Sequence, residues 1–232
     1  MHPPVIGLDG DDTLWHSESH FVTTTARMVE LLAEWVHTEA AQDHLIAVER
    51  RNLARFGYGV KAFTLSMIET AIEVSDARLP ASAVQQIIDW SKELMDHPVD
   101  LLDGVAATVA ELAAGHRLLL VTKGDLLHQE SKVARSGLEG HFEGIHIVSE
   151  KDPATYRRIL DRHGVAPADF VMVGNSVRSD ILPVLELGGR AVHVPYEVTW
   201  ALEHVDEGDL PGEVTRIDRL GDLPALLAAG LP

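Results

Sequence analysis

Apolar and polar residues alternate in two different rhythms along this chain. Val5-Ile6-Gly7-Leu8 is a short apolar run that stops at the acidic cluster Asp9-Gly10-Asp11-Asp12. Such a run predicts a buried strand leading into a loop. From about residue 16 to about 99 the rhythm is helical. Phe21, Thr25, Met28, Leu32 and Trp35 recur at spacings of four and three, which is one face of an amphipathic helix. The pattern predicts further helices over residues 43–56, ending at Gly57, and over residues 62–74. Another follows Pro80, with Val84, Ile87, Ile88, Trp90 and Leu94 as its apolar positions, and stops before Pro98. No strand pattern interrupts this block.

Beyond residue 100 strands and helices take turns. A helix over 103–114 closes at Gly115, and a strand follows over 117–122. A helix over 126–136 closes at Gly137, and a strand covers 144–148. Asp152-Pro153 opens a helix as N-cap and first residue, and Gly164 ends it. A strand over 170–173, a helix over 179–187, a strand over 191–194 and a helix over 223–229 complete the series. Alternation of this kind predicts an α/β fold, a doubly wound parallel sheet of Rossmann-like type. The helical block is then an insertion after the first strand. Residues 1–15 and 100–232 are expected to form the core domain, and residues 16–99 an all-helical second domain. No internal repeat or low-complexity tract is visible.

Composition narrows the function classes. Across 232 residues, 19 basic side chains face 36 acidic ones, a net charge of −17, and there is no cysteine. The charge argues against nucleic acid and anionic membrane as partners, since both are held by basic surfaces. The missing cysteines exclude a disulfide scaffold, a thiolate metal site and a cysteine nucleophile. The N-terminus lacks a basic segment followed by an apolar one, so no signal peptide is expected. The apolar run over 118–121 is far short of the ~20 residues that a membrane span needs. The expectation is a cytoplasmic globular protein, a monomer or a homodimer.

Sites in open α/β sheets form at the carboxyl ends of the strands. The polar residues there are Asp9, Asp11, Asp12 and Thr13 after the first strand, and Thr122, Lys123 and Asp125 after the second. Glu150 and Lys151 follow the third, and Asn175, Ser176 and Asp180 the fourth. Several carboxylates held together repel one another unless a cation joins them. A ligand set of oxygens alone suits Mg²⁺.

These residues resemble the four motifs of the haloacid dehalogenase (HAD) superfamily. Asp9-Gly10-Asp11-Asp12-Thr13 is similar to its DxDxT signature. Leu118 to Thr122 resembles the second motif, a strand ending in Ser or Thr, and Lys151 fits the third. Gly174-Asn175-Ser176-Val177-Arg178-Ser179-Asp180 resembles the fourth, whose usual form is GDSxxxD. Order and spacing agree along the whole chain, the helical insertion included. The resemblance implies a Mg²⁺-dependent phosphatase with a C1 cap, acting on a small phosphorylated metabolite. It makes Asp9 the nucleophile and Asp11 the general acid and base. Thr122 becomes a hydrogen-bond donor to the phosphoryl group, and Lys151 a counter-charge. It assigns Mg²⁺ to Asp9, Asp11, Asn175 and Asp180. Asn175 replaces the usual Asp and removes one negative charge, which implies weaker Mg²⁺ binding or more reliance on Asp180. Lys123 replaces the usual Asn. It either adds positive charge beside the phosphoryl pocket or pairs with Asp125.

Lys123, Tyr58, Lys61 and His16 are the candidates for reading the substrate, with His20 beside the last. Gly57-Tyr58-Gly59-Val60-Lys61-Ala62 imitates a dinucleotide fingerprint but follows a helical stretch rather than a strand. The first loop imitates an EF-hand, yet Leu14 and His20 stand where Gly and Glu are required. Zinc is not expected, since the histidines are scattered and no HExxH occurs. Haloacid dehalogenase or phosphomutase chemistry at the same site are alternatives, as is a non-catalytic module that binds phosphate or is phosphorylated. Dehalogenation has no need of Asp11, because halide leaves without a proton.

Overall fold

The computed structural model describes residues 3–205 and 214–231; Met1, His2, the tail stretch 206–213 and Pro232 lie outside the described residues. Two compact units emerge. One comprises Met1–His16, Val99–Lys123 and Gln129–Pro232; the other comprises Ser17–Pro98 and Gly124–His128.

The first unit is built on a five-stranded sheet in the order β3-β2-β1-β4-β5. Its strands are β1 (Val5–Leu8), β2 (Leu118–Lys123), β3 (Gly144–Val148), β4 (Phe170–Gly174) and β5 (Arg190–His193). All pairings are parallel. The central strand β1 sets Ile6 against both Leu118 and Val171, and Leu8 against both Leu120 and Val173. Strand residues alternate between two cores, as a period of two requires. Ile6, Leu8, Leu118, Leu120, Val171, Val173 and Val192 pack on one face with Val105 and Val109 of α5 (Val105–Gly115) and Leu223 of α9 (Leu223–Ala229). Val5, Leu119, Val121, Phe170 and Met172 pack on the other with Tyr156, Ile159 and Leu160 of α7 (Pro153–His163). Both faces are covered, which is why these strands read as unbroken apolar runs.

The second unit holds α1 (Glu18–Leu31), α2 (Thr38–Phe56), α3 (Val60–Val74) and α4 (Ala81–Asp96). Their core is Met28, Leu32, Leu45, Phe63, Met67, Ile87 and Trp90. The apolar spacing that predicts these helices is the face they bury. Among the described residues no helix is long and apolar enough to cross a membrane.

Two elements depart from the expectation. Helix α2 starts at Thr38, five residues before the predicted position 43, because its first turn buries only the small Ala41 and offers no large apolar residue to mark the period. The helix predicted over 179–187 is instead a single π-helical turn, Val177–Ile181, followed by α8 (Leu182–Glu186). Pro183 has no N–H to give to the carbonyl of Ser179, four residues back. The Tyr156 hydroxyl donates to that carbonyl instead, at 3.0 Å. The helix between β2 and β3, α6 (Leu126–Ser136), matches its predicted bounds.

Candidate active site

The strand order reverses at β1, whose neighbours are β2 and β4, and the carboxyl ends of these three strands meet there. Asp9 follows β1 directly, its N–H bonded to the carbonyl of Val173 at 2.9 Å. Gly10 turns the chain. A side chain there would approach Trp15 to 2.7 Å and the Thr122 hydroxyl to 3.2 Å, so only glycine leaves the loop beside β2. Asp12 takes a left-handed conformation, φ 61°, and its N–H closes the turn onto the Trp15 carbonyl at 2.8 Å.

Lys151 sits between two carboxylates. Its Nζ lies 2.5 Å from Asp9 Oδ1 and 2.6 Å from Asp180 Oδ1, and all three side chains are buried. Asp152 fixes the backbone next to it by accepting from the Thr155 N–H at 2.7 Å, the N-cap of α7. Asp180 Oδ2 accepts from the Ser176 N–H at 3.0 Å. Gly174 makes room for this carboxylate, since a Cβ there would lie 2.2 Å from Asp180 Oδ2. One ammonium does not balance two buried carboxylates. Burial and the charge of Asp180 outweigh Lys151 and push the Asp9 carboxyl up to about 8. Burial alone would depress the Lys151 ammonium, but Asp180 and Asp9 hold it above its ordinary range.

Asp11 is held separately. Its Oδ1 accepts from Trp15 Nε1 at 2.5 Å and from Lys132 Nζ at 2.5 Å, and its Oδ2 from Gln129 Nε2 at 2.9 Å. Burial raises this carboxyl, yet Lys132 and the three hydrogen bonds outweigh it, and the carboxyl lies below its ordinary range. Thr122 is tied to Asp11 through the same amide, Gln129 Nε2 standing 3.2 Å from Thr122 Oγ1. Asn175 is tied to the first loop by Thr13, whose hydroxyl accepts from the Asn175 N–H at 3.0 Å and donates to Asn175 Oδ1 at 3.4 Å.

The structure thus joins Asp9, Lys151 and Asp180 directly, and links Asp11 to Thr122 and Asn175 to the first loop by one side chain each. Lys123 has partners that sequence reasoning does not name. Its Nζ reaches Glu203 at 2.6 Å and Ser179 Oγ at 2.8 Å, in a knot where Glu203 also accepts from Ser176 and Ser179 at 2.5 Å each. His16 Nδ1 meets the Tyr196 hydroxyl at 2.7 Å. Tyr58 and Lys61 belong to the helical unit, where Lys61 pairs with Asp125 at 2.9 Å. Sequence reasoning passes over Gln129, Lys132 and Glu203. A signal for the first two exists in α6: its inward positions Gln129 and Lys132 are polar and buried, while Leu126 and Leu127 are exposed. A helix with that inversion has something polar to serve on its inner side.

A parallel α/β sheet with a buried carboxylate–ammonium–carboxylate centre at its switch point defines a narrow class. The family model for haloacid dehalogenase-like hydrolases matches residues 4–188. The chain belongs to this family. A solved haloacid dehalogenase-like family hydrolase from Xanthomonas campestris is 42% identical, with a TM-score of 0.86 over 99% of this chain and 96% of that one. A 2-haloacid dehalogenase structure from Pseudomonas syringae is 25% identical, with a TM-score of 0.63 over 99% of both chains. N-acylneuraminate-9-phosphatase of Mus musculus is 34% identical over 107 residues, 44% of this chain and 43% of that protein. The chain therefore spans less than half the length of this curated relative.

Proposed function

We propose that this chain is a Mg²⁺-dependent phosphohydrolase that cleaves a small phosphate monoester through an aspartyl-phosphate on Asp9. In this reading residues 1–15 and 100–232 are the catalytic core and residues 16–99 a C1-type cap. One observation carries it: the second carboxylate, Asp11, stands two residues after the nucleophile, half-buried and held by three donors. An alkoxide leaving group needs a proton, whereas a halide needs none. The likeness to the mouse phosphatase supports the same choice.

Lys151 engages Asp9 Oδ1, which leaves Oδ2 to attack phosphorus. The bond from Asp9 to phosphorus forms as the ester P–O bond breaks, and Asp11, protonated in the substrate complex in place of the ionised form that Lys132 favours here, passes that proton to the departing oxygen. Asp11 then takes a proton from the water that displaces Asp9. Thr122 donates to a phosphoryl oxygen, and Lys151 offsets the charge that gathers there. The donor set fits a hard cation, because Asp9 and Asp180 carry one negative charge more than Lys151 balances. Mg²⁺ held by Asp9, the Asp11 backbone carbonyl, Asn175 and Asp180 supplies further positive charge to the phosphoryl oxygens. His16, Tyr58 and Lys61 keep their proposed role in reading the leaving group. Lys123, which also braces the fourth loop through Ser179, keeps its place among them.

The test is turnover of p-nitrophenyl phosphate with and without Mg²⁺, beside Asp9→Asn. Turnover that requires Mg²⁺ and falls by about 10³-fold or more in the variant is expected. Undiminished turnover by Asp9→Asn, or halide release from 2-chloropropionate with no phosphate release, overturns the reading.

A further inference from the structure

Gln129 is buried at the junction of the first two site loops, and its contacts are unusual for a core amide. Its Nε2 faces three oxygens: Asp11 Oδ2 at 2.9 Å, Thr122 Oγ1 at 3.2 Å, and the backbone carbonyl of Lys123. A carboxylate and a carbonyl only accept, so the orientation of the amide is fixed; the flipped form would turn oxygen against oxygen. The other end of the side chain gains nothing. Oε1 is buried and has no hydrogen-bond partner among the described residues. An unmet buried acceptor loses its bonds to water and gains none in return, which destabilises the fold. A glutamine placed for stability would satisfy both ends. This one satisfies only the end that touches Asp11 and Thr122.

We infer that Gln129 is a positioning residue for the reaction, holding the Asp11 carboxylate and the Thr122 hydroxyl in fixed relation to each other. This rests on the phosphohydrolase reading above. An amide nitrogen does not accept a hydrogen bond, so the hydroxyl hydrogen of Thr122 points away from Gln129 and is left for a phosphoryl oxygen. Without Gln129, that hydroxyl is free to turn its hydrogen to the Asp11 carboxylate. Both groups would then face each other rather than the substrate. Loosening positioned groups raises the barrier to the chemical step more than it weakens ground-state binding.

Gln129→Met and Gln129→Glu test this. The first keeps the length and removes every polar atom; the second keeps the shape and removes the N–H donors. Steady-state kinetics on p-nitrophenyl phosphate, competitive inhibition by inorganic phosphate, and thermal melting are measured together. The expected result is a kcat lower by about 10-fold or more, with KM and the phosphate inhibition constant within about threefold of the parent. Gln129→Met is expected to melt no lower than the parent, because it also removes the unmet acceptor. A kcat within twofold of the parent, a change confined to KM, or loss of folding in both variants overturns the assignment. A parent protein that hydrolyses no phosphate ester sinks the phosphohydrolase reading itself, and the assignment with it. An active parent with indifferent variants sinks the assignment alone.

Discussion

Lys132 is the residue whose removal should be felt most directly. It is buried on α6 with its Nζ 2.5 Å from Asp11 Oδ1, and it lies 6.0 Å from the centre of the Trp15 ring. Asp11 keeps part of its side chain exposed, so losing this pair costs less than losing a fully buried one, which is about 3–5 kcal/mol. Lys132→Met is expected to lower the unfolding free energy in urea by about 1–3 kcal/mol, while Lys132→Arg, which keeps the charge, loses much less. Equal denaturation curves for Lys132→Met and the parent would refute it. At this scale the sequence is legible only in part. Asp9 stands directly after a predicted strand, Lys151 and Asp180 a few residues after theirs, and the strand-end rule brings them together without any knowledge of the fold. Gln129, Lys132 and Glu203 reach the same loops from the side, out of a helix and a late turn. Their proximity depends on which residues of α6 face inward and where the chain after β5 returns, and neither follows from local pattern.

At the scale of elements, the strands read true because they are buried on both faces. Their apolar runs are continuous, and glycines and acids punctuate their ends. Helix α7 reads equally well, since Asp152, Pro153 and Gly164 mark its start and stop. The segment after β4 misleads because its apolar period continues through a backbone that is not α-helical. Pro183 interrupts the hydrogen-bond ladder, and the repair comes from Tyr156, which lies on a different helix. The same repair sets the carbonyl next to Asp180. Tyr156→Phe should therefore do two things. It should cost about 1–3 kcal/mol by leaving the Ser179 carbonyl unmet. It should also weaken Mg²⁺ binding, read calorimetrically, by loosening the turn that carries Asp180. A phenylalanine variant with parental stability and parental Mg²⁺ affinity would show that the π turn holds itself.

For the whole molecule, the net charge of −17 separates two questions that look like one. Surface charge governs solubility and which polyanions stay away. It does not set the potential inside a buried centre, where Lys151 stands against Asp9 and Asp180. Acid stability has its own local source in the edge strand β3. His146 Nε2 is 2.9 Å from His163 Nε2, and burial with the nearby charge of His163 and Arg162 holds His146 down at about 4. The unfolded chain protonates this imidazole at about 6.5, and the native protein does not until about 4. Its contribution to stability is thus full above about 6.5 and is lost as the pH falls to about 4. His146→Gln is expected to flatten the decline of Tm across that window. An unchanged slope would place the acid sensitivity elsewhere.

The place of β1 in the sheet also dictates an order of events during synthesis. β1 leaves the ribosome well before the strands that flank it, since β2 and β4 begin only at Leu118 and Phe170. Helices α1 to α4 lie between and are consecutive in the chain, so their shared core can form while β1 is still unpaired. Asp9 therefore stays at the end of a naked, apolar strand until the distant partners arrive. Closing so long a loop adds little to the equilibrium cost, since each doubling of its length costs about 0.6 kcal/mol. It slows the search instead, as contacts far apart in sequence do. A nascent chain of this design carries Asp9 long before it acquires the strands that fix its place.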